Sequence, residues 1–239
     1  MKSHYLFNLN DFEELRNELN QMYESTIDLS YYKTVVYRGA NEMYHGKINK
    51  FESYEEAKNI YDFILDDTNK FQYHNAQINL CGNSLDWVNY PKIYEWIKTK
   101  SFELFGNEFI IKRNETKGTV VVPSCKIDFP LKTLYLKNSI LDNHRDHEYN
   151  VNNPNLNFIK AANILIYLNK NYNKDNGGLF IVEDSIEIIP EYGNILFLNF
   201  MNGSDPSHQV SKVVGNDNRF ALLFNITYDK YEREILKIQ

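Results

Sequence analysis

Cysteine is scarce in this chain, with only Cys81 and Cys125 among 239 residues and neither in a Cys-x-x-Cys pair. That excludes a disulfide framework and leaves two buried free thiols as the expectation. Long apolar runs are missing as well. None approaches the roughly twenty residues of a membrane helix, and Met1-Lys2-Ser3-His4-Tyr5 does not lead into the apolar stretch of a secretory signal. The expectation is a cytoplasmic protein with no membrane partner. Clustered positive charge is lacking too: the net charge is −6 and arginine is rare beside lysine. Nonspecific nucleic-acid affinity comes mainly from Lys and Arg clusters, so nucleic acid is not the expected partner. No repeat, low-complexity tract or linker marks a second domain. The oligomeric state is not legible in the sequence.

What is present suits one globular domain spanning 1–239: hydrophobic residues make up 43% and aromatics 15%, enough for a full core without disulfides or structural metal. Apolar spacing predicts a helix over Asn10–Tyr23, carried by Phe12, Leu15, Leu19 and Met22. A second follows the capping-box sequence Ser53-Tyr54-Glu55-Glu56, and a third runs from Pro91 to Gly106. Thr34–Tyr37 and Phe71–Leu80 read as strands between them. From Phe109 onward the texture becomes short β-rich runs: Phe109–Lys112, Thr119–Val122, Leu131–Lys137, Asn163–Leu168, Leu179–Glu183, Ile186–Ile189, Ile195–Asn199, Val210–Val214 and Phe220–Thr227. This predicts an α+β, mainly β fold of the sandwich or jelly-roll kind.

The chemistry concentrates in His144-Arg145-Asp146, His208 and Arg219. Two imidazoles and a carboxylate on one face of iron(II) leave coordination positions open for a co-substrate and O₂. Residues two apart in a strand point to the same side, so His144 and Asp146 can share a metal while Arg145 faces away. Arg219 supplies a planar cation suited to grip a dicarboxylate in two parallel hydrogen bonds, with Lys160 and Lys212 the next cations to consider. His4, His45 and His74 have no metal-like spacing, and His147 is expected to point away from the metal.

Around these residues stand Tyr135, Ile166-Tyr167-Leu168-Asn169, Gly177-Gly178-Leu179-Phe180, Pro190 with Gly193 and Phe197, Ser207-His208-x-Val210, and Arg219-Phe220-Ala221-Leu222. In this order they resemble the prolyl-4-hydroxylase-like branch of the iron(II)/2-oxoglutarate-dependent oxygenases, over about Leu131 to Asp229. The resemblance implies a double-stranded β-helix (jelly roll) core at 109–230, braced by the helices of 1–108. It implies Fe(II) held by His144, Asp146 and His208, with 2-oxoglutarate and O₂ as co-substrates and ascorbate as a further candidate cofactor. Arg219 would hold the C5 carboxylate of 2-oxoglutarate, with Tyr167 beside it, and Tyr135 would touch co-substrate or substrate.

The implied activity is that of a dioxygenase forming succinate and CO₂ while hydroxylating a C–H bond of a prolyl residue in a peptide or protein, or of a free amino acid. Halogenases of the superfamily lack the carboxylate, so Asp146 favours hydroxylation. The chain departs from the family at Asn138, where glycine is frequent, and in a slightly long His208–Arg219 interval, which the Gly215–Asn218 turn can absorb. Asparagine tolerates a left-handed backbone better than most residues. Gly177 and Gly178 read as turn formers. A nucleobase-oxidising oxygenase is the alternative in the same superfamily, but the second arginine usual in the nucleic-acid repair branch is Asn225 here. A non-enzymatic cupin-like binding module is the other alternative.

Overall fold

The computed structural model describes residues 2–38, 47–66, 77–106, 112–114, 119–146, 158–201 and 204–237. His45, His74 and His147, and the strand starts expected at Phe71 and Phe109, lie outside the described residues.

Among the described residues three helices form where local chemistry starts them. α1 is Arg16–Ile27, later than the expected Asn10. The intervening residues make two 3-10 turns, Leu9–Asp11 and Glu13–Leu15. The Asn8 side chain accepts the Asn10 N–H to open the first, and extended backbone at Phe12 separates the two. α2 (Tyr54–Asp66) opens on the expected capping box. Ser53 Oγ accepts the Glu56 N–H at 3.2 Å, and the Glu56 carboxylate accepts the Glu52 N–H at 3.1 Å. α3 is Pro91–Phe105. Buried Glu18 of α1 accepts the Lys92 and Ile93 N–H groups at 3.1 and 2.9 Å, so one helix satisfies the amide end of another. No described helix is long and apolar enough to cross a membrane.

The strands are β1 (His4–Asn8), β2 (Thr34–Arg38), β3 (Lys47–Lys50), β4 (Gln77–Ser84), β5 (Lys112–Asn114), β6 (Thr119–Ile127), β7 (Leu131–Tyr135), β8 (Ile140–His144), β9 (Phe158–Tyr167), β10 (Phe180–Val182), β11 (Ile186–Ile188), β12 (Asn194–Asn199), β13 (His208–Val210) and β14 (Arg219–Lys237). From β7 to β14 the chain shuttles between two antiparallel sheets. One runs β7-β14-β9-β12 with β1 at its edge; the other runs β8-β13-β10-β11. β4 pairs with both β7 and β8, where the surface curls from one sheet into the other. This alternation is a double-stranded β-helix, as the resemblance implies. β1, β3 and β8 went unread in the sequence, β9 starts earlier than expected, and β14 runs on past Thr227 to pair with β6.

Strand alternation divides the larger sheet into two faces. Ile164, Ile166, Ile195, Phe197, Leu222 and Phe224 point outward into one core with Leu19, Met22, Ile93, Ile97 and Phe105 of the helices. Tyr135, Leu165, Tyr167, Leu196, Leu198 and Ala221 point inward to meet Phe180, Val182 and Val210 of the smaller sheet.

Candidate metal centre

His144 ends β8 and His208 begins β13, and the two are paired directly across the ladder. Their rings lie 4.2 Å apart, with Phe180 stacked behind His208 at 5.5 Å. Asp146 does not share the strand, contrary to the alternation argument: β8 ends at His144, and Asp146 sits two residues beyond. It nevertheless converges on the same point. Its Oδ1 lies 3.5 Å from His144 Nε2 and 4.0 Å from His208 Nε2, and one ligand atom from each residue falls within 4.8 Å of the others. Arg145 is exposed.

Hydrogen bonding fixes which imidazole nitrogen each histidine offers. His144 Nδ1 donates to the Asp142 carbonyl at 2.8 Å, and His208 Nδ1 donates to the Pro206 carbonyl at 3.1 Å. A carbonyl can only accept, so the proton sits on Nδ1 and each Nε2 lone pair faces the cluster. Burial, then the neighbouring His144, pushes the His208 pKa down to about 4, which keeps that ring neutral at neutral pH. Burial works to raise the Asp146 pKa, but the Lys160 charge and the two imidazoles outweigh it and hold the carboxyl below its usual range. The Asp146 Oδ2 accepts from Lys160 Nζ at 3.2 Å and from the Asn163 amide. Two imidazole nitrogens and an ionised oxygen on one side of a point form the donor set that suits iron(II) with open positions.

Deeper between the sheets lies Arg219, fully buried. Its Nε donates to the Gly178 carbonyl at 2.6 Å, and its guanidinium carbon lies 4.8 Å from the Tyr135 ring and 5.3 Å from that of Tyr167. Among the described residues Nη1 and Nη2 meet no acceptor in good hydrogen-bond geometry, and the buried hydroxyls of Tyr167 and Tyr172 are likewise unsatisfied, the Tyr167 hydroxyl meeting only the guanidinium itself. A buried cation without a counter-charge is costly, and donors without acceptors fit an anion such as a carboxylate. Gly178 does more than turn the chain. At φ +60°, a Cβ there would lie 2.8 Å from Arg219 Cδ and 2.7 Å from the Tyr172 hydroxyl, so only glycine leaves room. Burial, partly offset by the Arg219 charge, raises the Tyr167 pKa and pushes that of Tyr135 up to about 12, keeping both phenols protonated as donors.

Sequence reasoning missed Tyr172, Lys160 as a partner of Asp146, and Asn163. Lys160 bonds Asp146 rather than facing Arg219's surroundings, and Lys212 is exposed. Asn138 does take the left-handed conformation, at φ +70°, where the family often has glycine. A surface hollow of about 800 Å³ lined by Tyr31, Lys33, Lys50, Tyr54 and Gly82 shares no residue with the metal cluster.

The solved structures this chain resembles include several prolyl hydroxylases. The viral collagen prolyl hydroxylase of Paramecium bursaria Chlorella virus-1, solved with 2-oxoglutarate, is 11% identical over 95% of this chain and 96% of that one, with a TM-score of 0.49. A prolyl-4-hydroxylase of Pseudomonas putida is 11% identical over 94% and 91%, at 0.46. A prolyl hydroxylase of Trichoplax adhaerens, solved with a hypoxia-inducible-factor peptide fragment, is 12% identical over 95% and 84%, at 0.47. No protein-family model and no curated protein matches the chain. Likenesses at this level say nothing of substrate.

Proposed function

We propose that the protein is an iron(II)- and 2-oxoglutarate-dependent dioxygenase that hydroxylates an unactivated C–H bond. The observation that carries this is one arrangement: three converging metal-ligand atoms with, deeper between the same sheets, a fully buried guanidinium whose terminal nitrogens lack partners among the described residues. His144, Asp146 and His208 would hold the metal, which when bound supplies a centre that reduces O₂. Arg219 would bind the far carboxylate of 2-oxoglutarate, and the Tyr167 hydroxyl would donate to the same group. Leu165, Leu198 and Val210 line the space between the sheets with apolar surface and exclude bulk water, which strengthens the Arg219 interaction. The Nδ1 hydrogen bonds of the histidines would keep both rings in the ligating tautomer through turnover.

For the substrate, the order of motifs from Tyr135 to Arg219 supports a prolyl residue in a peptide or protein, or a free amino acid. Asn225 is engaged with Asp128 at 3.2 Å and offers no second cation. The experiment is a screen of proline-containing peptides, free amino acids and oligonucleotides for succinate release coupled to a +16 Da product. Succinate release coupled to a peptide or amino-acid product supports the reading; a mass gain on a nucleobase replaces its substrate; no succinate under any condition indicates a binding module.

A further inference from the structure

We propose that Lys160 and Asn163 are positioning residues that together occupy Asp146 Oδ2 and so present Oδ1 alone to the metal. The inference rests on the metal-centre reading above and concerns how its carboxylate is held. In a regular strand, residues three apart face opposite sides. Lys160 and Asn163 are three apart on β9, yet both reach the same oxygen, Lys160 Nζ at 3.2 Å and the Asn163 amide beside it. The ladder explains how. Ile226 pairs with Ala162 and Thr227 with Lys160, so Ala161 is an extra residue, a β-bulge against β14. Ala161 and Ala162 both pack into the outer core, fully buried, and the residues on either side of them both turn inward. A bulge re-aims a side chain at the expense of regular pairing. Here it places an ammonium and an amide N–H on one carboxylate oxygen.

The chemical consequence concerns coordination number. A carboxylate free to rotate can bind a metal through both oxygens and consume a position that the co-substrate or O₂ requires. With Oδ2 already accepting two hydrogen bonds, Asp146 faces the imidazoles through Oδ1. Asp146 lies beyond the end of β8, so its own strand does not fix it, and two donors from β9 do. The Lys160 ammonium also sits 4.6 Å from the Phe200 ring centroid, which steadies it within the site.

The test is Mn(II) affinity of the full chain, measured by EPR of free Mn(II) without 2-oxoglutarate or substrate, alongside the visible spectrum of the Co(II)-loaded protein. Asn163→Leu and Lys160→Met are expected to weaken Mn(II) binding roughly 10- to 100-fold. Both should shift the Co(II) bands, which report coordination number, and Lys160→Arg should restore most of the loss. Should Asn163→Leu fail to fold, the part-exposed Lys160→Met decides alone. Variants that bind Mn(II) as the wild type does, with an unchanged Co(II) spectrum, overturn the positioning role and leave the metal centre standing. A wild-type protein that binds no Mn(II) overturns both.

Discussion

Ile164, Ile166, Leu222 and Phe224 leave β9 and β14 toward the helices, while Asn163, Tyr167 and Arg219 leave the same two strands toward the smaller sheet. The outward set is apolar and closed. Asn169, just past the end of β9, is saturated as well: it donates to the Pro190 and Phe220 carbonyls and accepts the Phe220 N–H. Among the described residues the inward set leaves the Arg219 terminal nitrogens, the Tyr167 hydroxyl and Asn163 Oδ1 buried without an acceptor or donor to complete them, the Tyr167 hydroxyl meeting only the guanidinium. One pair of strands therefore supplies both stability and stored binding potential, separated by nothing more than odd and even positions. A protein tolerates unpaired buried donors where a ligand completes them.

The comparison breaks most completely at the ligands. His208→Ala should abolish succinate formation and metal binding while the metal-free protein melts within a few degrees of wild type; metal-depleted enzyme with undiminished turnover would sink the assignment. On the outward face the effect should be stability alone. Phe197→Ala, in a core packed by Phe7, Trp96 and Phe105, should cost about 3–5 kcal/mol in urea unfolding, with 2-oxoglutarate affinity unchanged in the folded fraction.

The inward face should also mark the protein's acid stability. The folded His208 pKa lies near 4 against an ordinary 6.5. As pH falls through that window, the unfolded chain takes up a proton that the folded chain refuses. Metal-free stability should thus be full above about pH 6.5 and fall by up to about 3 kcal/mol on approach to pH 4. Denaturant titrations of wild type and His208→Asn at both ends of the window measure this, the variant losing correspondingly less.

Arg219→Met should reverse the usual sign. It should eliminate 2-oxoglutarate binding yet raise the stability of the ligand-free protein by about 2 kcal/mol, because a buried cation with no counter-charge among the described residues is removed. Calorimetry with and without 2-oxoglutarate checks both halves, and Arg219→Lys should fall between on affinity since it keeps charge without the fork. Smallest is Tyr167→Phe, which should weaken 2-oxoglutarate by about 1 kcal/mol, roughly fivefold, with little loss of stability, since among the described residues the deleted hydroxyl meets no acceptor and only the Arg219 guanidinium beside it. Unchanged affinity would remove Tyr167 from the pocket.

Much of this is legible in the amino-acid sequence. The alternating runs gave most strands of the core, the capping box and Pro91 located two helix starts, and Asn138 was a tolerable stand-in for glycine because its side chain accepts a left-handed backbone. The failures share a cause. β8, Ile140–His144, is short and ends on polar residues, so no apolar alternation announces it. α1 starts late because Asn8 caps a 3-10 turn ahead of it. The bulge at Ala161 leaves no mark in composition, so Lys160 read as a spare cation.

The sequence by itself determined which side chains carry the chemistry, their order, and the odd-even pattern that sends apolar residues to one face, because residue type and strand period are local properties. Tertiary structure decided what meets what. It opposed His208 to His144 across a ladder, brought Asp146 in from beyond a strand end, turned Lys160 and Asn163 onto one oxygen, and closed two sheets around Arg219. Those are relations between segments far apart in the chain, fixed by register and burial, and no local pattern encodes them.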